Sequence, residues 1–278
     1  MSPPPRVSAV VVHYRAEKYL ARCLDALGGN RDWIALDVVV VDNGSITDQG
    51  YWKRAFPEVQ WVFATSNRGY SAAVNDGVRL SRGDYLLILN PDAWPLDGCL
   101  EKLVVFLEST PEAALASPQL VSPAGVPQPA GGNAPTLWRL ISGKARALGV
   151  DSGSLRPSSA DAIELEWASA TALLCRRRAW EEVGGLDEGF FLYYEDCDLG
   201  LRLRRRGWRI YLLPTAQAQH VGGASFGADS DFQLRAYRAG QDRYFRKHRP
   251  ALERRLLVLL WPLYKRVGLR NLLNAREP

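Results

Sequence analysis

The chain has 278 residues, of which 47% are hydrophobic and 23% are charged. This length and apolar content suffice for one large α/β domain or two fused lobes, and they exclude disorder over the whole chain. A net charge of +5 suits an anionic partner. Nucleic acid, a phosphorylated substrate and an acidic membrane surface each meet that description.

The N-terminal stretch MSPPPRV lacks an apolar signal sequence, and no later run reaches the roughly 20 apolar residues that span a bilayer. We therefore expect a cytoplasmic protein. The cysteines lie far apart and form no CxxC pair, which predicts reduced, mostly buried thiols rather than a zinc site or a disulfide framework. They are Cys23, Cys99, Cys175 and Cys197.

Strands and helices alternate over the first part of the chain. Apolar strand patterns occur at 7–13, 36–42, 59–64 and 84–90, and helical spacing follows them at 17–27, 47–55, 69–80 and 97–108. Strands that are apolar on both faces and separated by helices predict a mostly parallel, Rossmann-like α/β sheet with helices on both faces. Ligands of such sheets bind outside the carboxyl ends of the strands.

Polar residues stand at several of those carboxyl ends, as His13-Tyr14, Asp42-Asn43-Gly44-Ser45 and Asn90-Pro91-Asp92. The chain contains no GxGxxG, which argues against a dinucleotide-binding Rossmann enzyme. It also contains no GxxxxGK(S/T), which argues against a P-loop. We therefore expect the chemistry at this edge of the sheet, with any nucleotide held in another way.

Beyond residue 110 the sequence becomes rich in Pro, Gly and Ser. Residues 122–162 predict a mobile excursion that orders over substrate. Regular patterns then return as a strand at 168–175, a helix at 176–183, a turn at 184–187, a helix at 195–206 and a strand at 209–214.

Four segments in this order carry a family resemblance: VVVVDNGS, NRGYSAAVNDGV, LILNPDA and GGLDEGFFLYYEDCDLGLRLRRRGW. Over residues 7–248 the chain resembles the inverting glycosyltransferase family 2, which has the GT-A fold, and it is most like the bacterial rhamnosyltransferases of that family. The resemblance implies transfer of rhamnose from dTDP-rhamnose, or of another sugar from a UDP-sugar, to an acceptor hydroxyl. The acceptor would be a saccharide or a polyprenyl-linked sugar in polysaccharide, cell-wall or glycolipid biosynthesis.

The same resemblance implies one GT-A domain with two halves. Residues 1–121 would be the nucleotide-sugar-binding half, and residues 122–248 the acceptor-binding and catalytic half. Residues 249–278 would form an amphipathic, helical C-terminal extension.

The resemblance places the donor at the first strand ends. It implies that Asp42 reads the pyrimidine base, and a carboxylate can accept the imide N–H of uracil or thymine. The structural alternative is a turn and helix N-cap, which an Asp before Asn-Gly-Ser also suits. Further donor contacts are expected from His13, Tyr14, Asn67 and Arg68; the last two begin a helix, where N–H groups and a cation could meet the diphosphate.

The resemblance also implies a metal site. Asp92 matches the last Asp of the family's DxD element, whose carboxylate binds Mg or Mn between the two donor phosphates. Position 90 departs from that element because it is Asn90, which is left to contact the donor. His220 resembles the His that closes the metal site in part of the family. The alternatives are a Pro-Asp turn and a structural histidine, and His248 is expected at the surface.

Glu195-Asp196 resembles the family's catalytic ED pair, in which the Asp deprotonates the acceptor hydroxyl. Burial beside other acids would raise its pKa toward that task. Acids in the first turn of a helix also complement its dipole, and we assign that duty to Asp198, paired with Arg202. The expected acceptor contacts are the aromatic side chains of Trp167 and Tyr194.

Residues 250–275 mix Leu and Trp with Arg and Lys at helical spacing around Pro262. This tail suits a helix that lies in a membrane interface. Such a helix would fit a polyprenyl-linked acceptor and a protein peripheral to the inner face of the cell membrane. The alternatives are docking on the main domain and docking on a second subunit in a homodimer.

Three other functions fit the sequence less well. A nucleotidyltransferase would carry a Gly-rich, basic phosphate loop after the first strand, and none occurs there. Nucleic-acid binding through Arg202–Arg206 is disfavoured, because Leu201 and Leu203 alternate with the arginines as in a solvated helix end. A non-catalytic sugar-nucleotide binding protein is the remaining alternative. Loss of donor hydrolysis on Asp196→Asn would distinguish an enzyme from it.

Overall fold

The computed structural model describes residues 4–28, 33–46, 48–141, 161–222 and 230–260. Within them the strands form a mixed ten-stranded sheet and a separate two-stranded sheet. The strands are β1 (Arg6–His13), β2 (Ala35–Asp42), β3 (Gln60–Phe63), β4 (Tyr85–Leu89), β5 (Ala93–Pro95), β6 (Ala113–Val121), β7 (Pro127–Gln128), β8 (Gly131–Gly132), β9 (Ile163–Leu165), β10 (Trp167–Ala168), β11 (Ala172–Arg176) and β12 (Arg209–His220). The helices are α1 (Glu17–Gly28), α2 (Gln49–Ala55), α3 (Tyr70–Leu80), α4 (Cys99–Ser109), α5 (Leu137–Ile141), α6 (Arg177–Glu182), α7 (Glu195–Arg205) and α8 (Ser230–His248). Residues 251–260 are also helical.

The first half of the large sheet is parallel, in the order β3-β2-β1-β4. Strands β1 and β4 are buried almost throughout, as expected for strands covered on both faces. The four strand–helix pairs predicted from the apolar patterns are confirmed, with ends shifted by a few residues. The register pairs His13 with Asp42, so the polar strand ends lie side by side at one edge.

The second half continues the sheet as β4-β11-β6-β12-β5, with β11 antiparallel to both of its neighbours. Strand β6 is buried at every position, yet the apolar patterns did not predict it, because Pro118 and its polar neighbours interrupt the run. Proline has no N–H for a strand ladder and is normally confined to edges and bulges. It fits here because the pairing with β12 shifts register between Leu213 and Gln217, directly beside it.

Part of the excursion expected at 122–162 pairs with the rest of the fold. Strand β7 pairs with β6, and β8 pairs with β10. The β8–β10 approach is close, since a Cβ on Gly131 would stand 2.4 Å from the carbonyl oxygen of Trp167. The sequence did not predict these pairings. Residues 142–160 lie outside the described part of the chain, and ordering of the excursion over substrate stays a prediction.

A main core fills the space between the large sheet and its helices, and a smaller second core holds the C-terminal helices. The second core contains buried aromatic side chains from the loop before α7 and from α8, among them Phe190, Tyr194 and Phe245. All four cysteines are buried and unpaired, as predicted.

The expectation that His248 lies at the surface is wrong. Its side chain is 2% exposed, and its Nε2 lies 2.6 Å from Asp198 Oδ1. The polar segment around His248 suggested exposure. The last turn of α8 packs against α7, however, and the His248 ring contacts the buried carboxylate of Asp198 there.

The described part of the C-terminal tail is the helix at 251–260. Leu257 docks it into the second core, while Leu252, Leu256 and Leu259 remain exposed on another face. No helix among the described residues is long and apolar enough to cross a membrane. Residues 261–278 of the predicted amphipathic segment lie outside the described part.

Candidate active site

Asp42 ends β2 and is almost fully buried. Its carboxylate accepts hydrogen bonds from the Ser45 hydroxyl at 2.6 Å, from the Ser45 backbone N–H at 3.1 Å and from the Ile46 N–H at 3.0 Å. These bonds close the turn after β2, as in the structural alternative, but the N-cap of α2 is Asp48 and not Asp42. Base reading by Asp42 stays a prediction that rests on the family resemblance.

Asn43 joins this turn to the start of α3, and the sequence analysis did not single it out. Its Nδ2 donates to Asn67 Oδ1 at 2.9 Å and to the Gly69 carbonyl at 3.1 Å. Its Oδ1 accepts from the Arg68 N–H at 3.0 Å. Asn67 and Arg68 are therefore held beside the Asp42 turn, where a donor contact was predicted for them.

His13 ends β1 opposite Asp42 and has no exposed surface. Neither of its ring nitrogens has a hydrogen-bond partner among the described residues, although Glu17 lies 3.5 Å from Nε2. Burial lowers the pKa of His13, so its ring is neutral near neutral pH. Tyr14 follows it, partly buried, with the Arg15 guanidinium 5.1 Å from its ring centre. Donor contacts of His13 and Tyr14 stay predictions.

The loop of Asn90, Pro91 and Asp92 connects β4 to β5 at the same edge. Its backbone is held from both sides, because the Asn90 N–H donates to the Thr171 carbonyl at 2.9 Å and the Asp92 carbonyl accepts from the Val221 N–H at 3.0 Å. Asp92 is 4% exposed. The side chain is thus fixed in place at the strand ends.

The pairing of β5 with β12 places His220 opposite Ala93. This register brings His220 Nε2 to 3.8 Å from Asp92 Oδ2, so the two residues predicted as metal ligands lie together although they are far apart in the sequence. The other ring nitrogen, Nδ1, lies 2.8 Å from Gln128 Oε1. Burial lowers the pKa of His220 and favours the neutral ring, the form that binds metals.

Asp92 and His220 form a pair rather than a full coordination shell. Among the described residues no group of three or more His, Cys, Asp or Glu side chains could hold a metal ion. A hard divalent cation prefers six or more ligands, mostly oxygens. Any cation at this pair would therefore take most of its ligands from a bound molecule and from water.

Glu195 and Asp196 begin α7, where the positive end of the helix dipole favours carboxylates. Asp196 Oδ1 accepts the Cys197 N–H at 2.8 Å. Glu195 is 5% exposed, and its Oε2 has no hydrogen-bond partner in the part of the chain that the structure describes.

Burial raises the pKa of both acids of this pair. It raises the pKa of Asp196 to about 6. The pKa of Glu195 lies well above its ordinary range, because the side chain is buried and faces the charge on Asp196. With a pKa of about 6, the Asp196 carboxylate is charged at neutral pH and still basic enough to accept a proton from a hydroxyl in a transition state.

The two residues before this pair, Tyr193 and Tyr194, both have a φ of +69. This left-handed region is disfavoured for side-chain-bearing residues, and such strain persists where the surroundings enforce it, often at functional sites. Here Gly240 on α8 lies so close that a Cβ would stand 2.3 Å from the Tyr193 carbonyl oxygen. The Tyr194 hydroxyl bonds to Tyr237 and to Gln241, each at 3.0 Å.

Tyr70, at the start of α3, is a site residue that the sequence analysis missed. Its hydroxyl donates to the Ala170 carbonyl at 2.7 Å. Burial raises its pKa well above the usual range, and Glu195, Asp196 and Asp92 add to that effect. Tyr70 therefore lies within electrostatic reach of all three acids. The one available signal was an aromatic residue directly after NRG at a helix start.

The aromatic segment at 190–194 presents Phe191 to solvent, with 41% of that residue exposed. Its carbonyl accepts the Tyr70 N–H at 2.7 Å, which holds it beside α3. Tyr194 is buried, and Trp167 is half-buried with Nε1 donating to the Asn133 carbonyl at 3.0 Å. Acceptor contacts by Trp167 and Tyr194 stay predictions, and Phe191 is the more accessible aromatic surface.

Asp198 has a structural role. Its side chain has no exposed surface, and Arg202 Nε lies 2.7 Å from Oδ2, which confirms the predicted pair. Lys247 Nζ lies 2.7 Å from Oδ1, beside the His248 ring. Burial alone would raise the pKa of Asp198. The bonds from His248 and Arg202 outweigh that effect and hold this pKa below its usual range. These contacts join α8 to α7 behind the ED pair.

The chain matches two family models: the one described as Glycosyl transferase family 2, over residues 8–152, and the one described as Glycosyl transferase family group 2, over residues 85–264. It is 30% identical over 252 residues to an N-acetylglucosaminyl-diphospho-decaprenol L-rhamnosyltransferase of Mycobacterium tuberculosis. That alignment covers 82% of this chain and 80% of the relative.

Solved glycosyltransferase structures have a similar fold. GalNAc-T7 with UDP, GalNAc and Mn²⁺ aligns with a TM-score of 0.65 and 16% identity over 87% of this chain and 50% of that chain. The mannosyltransferase PcManGT from Pyrobaculum calidifontis, in complex with GDP-Man and Mn²⁺, aligns with a TM-score of 0.61 and 20% identity over 88% of this chain and 64% of that chain. At such identities the likeness shows the fold, which is GT-A as the motifs implied.

Proposed function

The chain belongs to glycosyltransferase family 2, and we propose on that premise that it transfers rhamnose from dTDP-rhamnose, with inversion, to a saccharide hydroxyl on a polyprenyl-linked acceptor. The observation that carries the proposal is that two acid sites act on one tyrosine hydroxyl. His220 lies 3.8 Å from Asp92, and the charges of Asp92, Glu195 and Asp196 all act on the Tyr70 hydroxyl. That hydroxyl donates to the Ala170 carbonyl, next to the Thr171 carbonyl that holds the Asn90 N–H.

The sugar and the acceptor are inferred from the Mycobacterium tuberculosis relative, whose name specifies L-rhamnose and a decaprenyl diphosphate-linked N-acetylglucosamine. A UDP-sugar is the alternative donor, since uracil and thymine present the same imide N–H to a carboxylate. The product would enter a cell-wall polysaccharide or a glycolipid.

The donor nucleotide would lie across the ends of β1 and β2. The turn at Asp42 and the loop that Asn43 ties to it form this side of the site. The N–H groups of Arg68, Gly69 and Tyr70 at the start of α3 already bond to Asn43, Asn67 and the Phe191 carbonyl, so the contact with the diphosphate would come from the Arg68 side chain. Arg68 adds a half-exposed guanidinium there, held by Asp76 at 2.8 Å.

Asp92 and His220 fit a divalent cation. One carboxylate and one neutral imidazole face each other at 3.8 Å, and the two phosphate groups of the donor diphosphate would supply oxygens that complete the shell. When bound, the cation neutralises charge on the leaving diphosphate. The two solved structures of similar fold contain Mn²⁺ together with UDP or GDP-Man. The imidazole favours Mn²⁺ over Mg²⁺, which prefers all-oxygen shells.

Asp196 would act as the base. Its carboxylate accepts the proton of the acceptor hydroxyl while that oxygen bonds to the anomeric carbon. The bond from this carbon to the diphosphate oxygen breaks, and its electron pair leaves with the diphosphate. A single in-line displacement of this kind inverts the anomeric configuration. Glu195 beside it retains its proton to higher pH than an ordinary Glu, so the pair carries less charge than two free acids.

A peripheral position on the inner face of the membrane would bring the site to a polyprenyl-linked acceptor. The helix at 251–260 exposes Leu252, Leu256 and Leu259, whose spacing puts them on one helix face. Trp138 on α5 is 75% exposed. The Leu137 N–H bonds to Glu253 at 3.1 Å, which joins α5 to this helix. Together these apolar side chains suit the interfacial region of a bilayer.

A transfer assay with purified protein tests the proposal. Wild type is incubated with Mn²⁺, a polyprenyl diphosphate-linked N-acetylglucosamine and either dTDP-rhamnose or a UDP-sugar. We expect transfer from dTDP-rhamnose, with a loss of roughly 10²–10⁴-fold in Asp196→Asn. The matched control is Asp25→Asn, an exposed acid on α1, which should keep the wild-type rate. No transfer from either donor by a folded wild type would contradict the proposal.

A further inference from the structure

His220 has a neighbour at each ring nitrogen. Nε2 lies 3.8 Å from Asp92 Oδ2, and Nδ1 lies 2.8 Å from Gln128 Oε1. A neutral imidazole carries one proton, which can sit on either nitrogen, and a cation binds the nitrogen without it. The group that faces Nδ1 therefore decides whether Nε2 is available on the Asp92 side.

The carboxamide of Gln128 satisfies its surroundings in one orientation. Its Nε2 lies 3.2 Å from the backbone carbonyl oxygen of His220, a group that accepts hydrogen bonds and cannot donate them. The amide nitrogen must face that carbonyl, so the amide oxygen must face the ring. An oxygen at this place accepts the Nδ1 proton, and Nε2 then presents its lone pair toward Asp92.

Backbone pairing fixes Gln128 before any ligand arrives. It lies in β7 opposite Leu120 of β6. Its own carbonyl accepts a hydrogen bond from Gln119 Nε2 at 2.8 Å, and Gln119 is buried. The carboxamide thus contacts both the backbone and the ring of His220 from a strand that is itself anchored. Such fixed outer contacts orient metal-binding histidines in proteins.

We propose that Gln128 is a positioning residue that holds His220 in the Nδ1–H tautomer and so keeps Nε2 available to the divalent cation of the donor complex. The proposal rests on the proposed function, because it takes Asp92 and His220 as the cation's protein ligands. Gln128 acts through His220 and has no part in the bond changes. Loss of such an outer contact typically weakens metal binding by roughly 10–100-fold.

The tautomer can be observed without metal. The chain has three histidines, so ¹⁵N NMR at a pH of about 8, above the ordinary histidine pKa, can follow the His220 ring by itself. Wild type should show Nδ1–H. Gln128→Leu removes the acceptor and should populate Nε2–H. Gln128→Glu retains an acceptor for Nδ1–H and should keep the wild-type tautomer. The control is Gln60→Leu, an exposed glutamine on β3, which should leave the ring unchanged.

Mn²⁺ affinity in the presence of dTDP, measured by electron paramagnetic resonance, is the second readout. Gln128→Leu should weaken it by about tenfold or more, while Gln128→Glu and Gln60→Leu stay near wild type. An Nε2–H ring in wild type, or a ring unaffected by Gln128→Leu, would overturn the role of Gln128 and leave the proposed function standing. A wild type with the Nδ1–H ring that binds no Mn²⁺ would overturn both.

Discussion

The pH dependence of sugar transfer is the most informative test of Asp196 as the base. Burial raises the pKa of this carboxyl from an ordinary 3.8 to about 6, because the charged form loses its hydration. That change corresponds to about 3 kcal/mol of bias toward the protonated form. A base must be deprotonated before it can accept the acceptor's proton, so the active fraction of the enzyme declines as the pH falls below about 6.

The assay is kcat/KM for the acceptor, at saturating donor and Mn²⁺ between about pH 4.5 and 8.5, because kcat/KM reports the pKa of the base before the acceptor binds. We expect a plateau above about pH 7 and a loss of about tenfold for each pH unit below 6. Saturating Mn²⁺ keeps His220 in its metal-bound form, which isolates the carboxyl titration. The midpoint belongs to the Glu195–Asp196 pair, since the two acids titrate together. A kcat/KM that stays flat down to pH 5 would refute the reasoning.

The raised pKa of Asp196 also predicts that removing the charge of this carboxylate stabilises the folded protein. A carboxyl whose pKa is higher in the folded than in the unfolded protein stabilises the folded state while it is protonated. This contribution is complete below the unfolded-state pKa and is lost as the pH rises through about 6. Asp196→Asn should therefore unfold at a higher temperature than wild type at about pH 8, and the difference should disappear below about pH 4. Wild-type and variant thermal midpoints measured at both pH values check this, and a lower midpoint for the variant at pH 8 would contradict it.

Three further outcomes follow from local contacts. Gly69→Ala should lower the free energy of unfolding, measured by calorimetry, by about 1–3 kcal/mol. Gly69 has a φ of +89, and a Cβ there would stand 2.8 Å from a backbone oxygen of the loop before α7. The control is Gly28→Ala, because a Cβ at Gly28 would meet open space. Asp198→Asn should lower the free energy of unfolding, measured by urea denaturation, by about 1–3 kcal/mol, since the partly exposed Arg202 and Lys247 lose their counter-charge, and an unchanged free energy would argue against that network. Leu252→Ser combined with Leu259→Ser should reduce sedimentation with phosphatidylglycerol vesicles, and equal sedimentation of this variant and wild type would remove the membrane role of that face.

The parallel half of the sheet was predictable because local patterns determine it. Val7 to Val12 and Val38 to Val41 form apolar runs that are buried on both faces, and helical spacing follows each run. The polar residues after these strands were predictable as a site for the same reason, since parallel strands bring their carboxyl ends to one edge.

The remaining parts depend on contacts between distant segments. Strand β6 was not predicted because it contains Pro118, and a proline fits inside this strand through a register shift in the pairing with β12. His248 was misplaced, since its partner Asp198 lies on another helix. Tyr70 belongs to the site through Ala170, which no spacing rule connects to it. Sequence patterns report local periodicity, and these residues are placed by tertiary packing.

Nucleotide binding tests the central claim most directly, through the thermal midpoint of the protein with dTDP or UDP, each with and without Mn²⁺, because a ligand that binds the folded state raises that midpoint. The account predicts stabilisation by dTDP or UDP that requires Mn²⁺, is lost in Asp92→Asn and is retained in Asp196→Asn. Stabilisation of wild type by neither nucleotide in the presence of Mn²⁺ would contradict it.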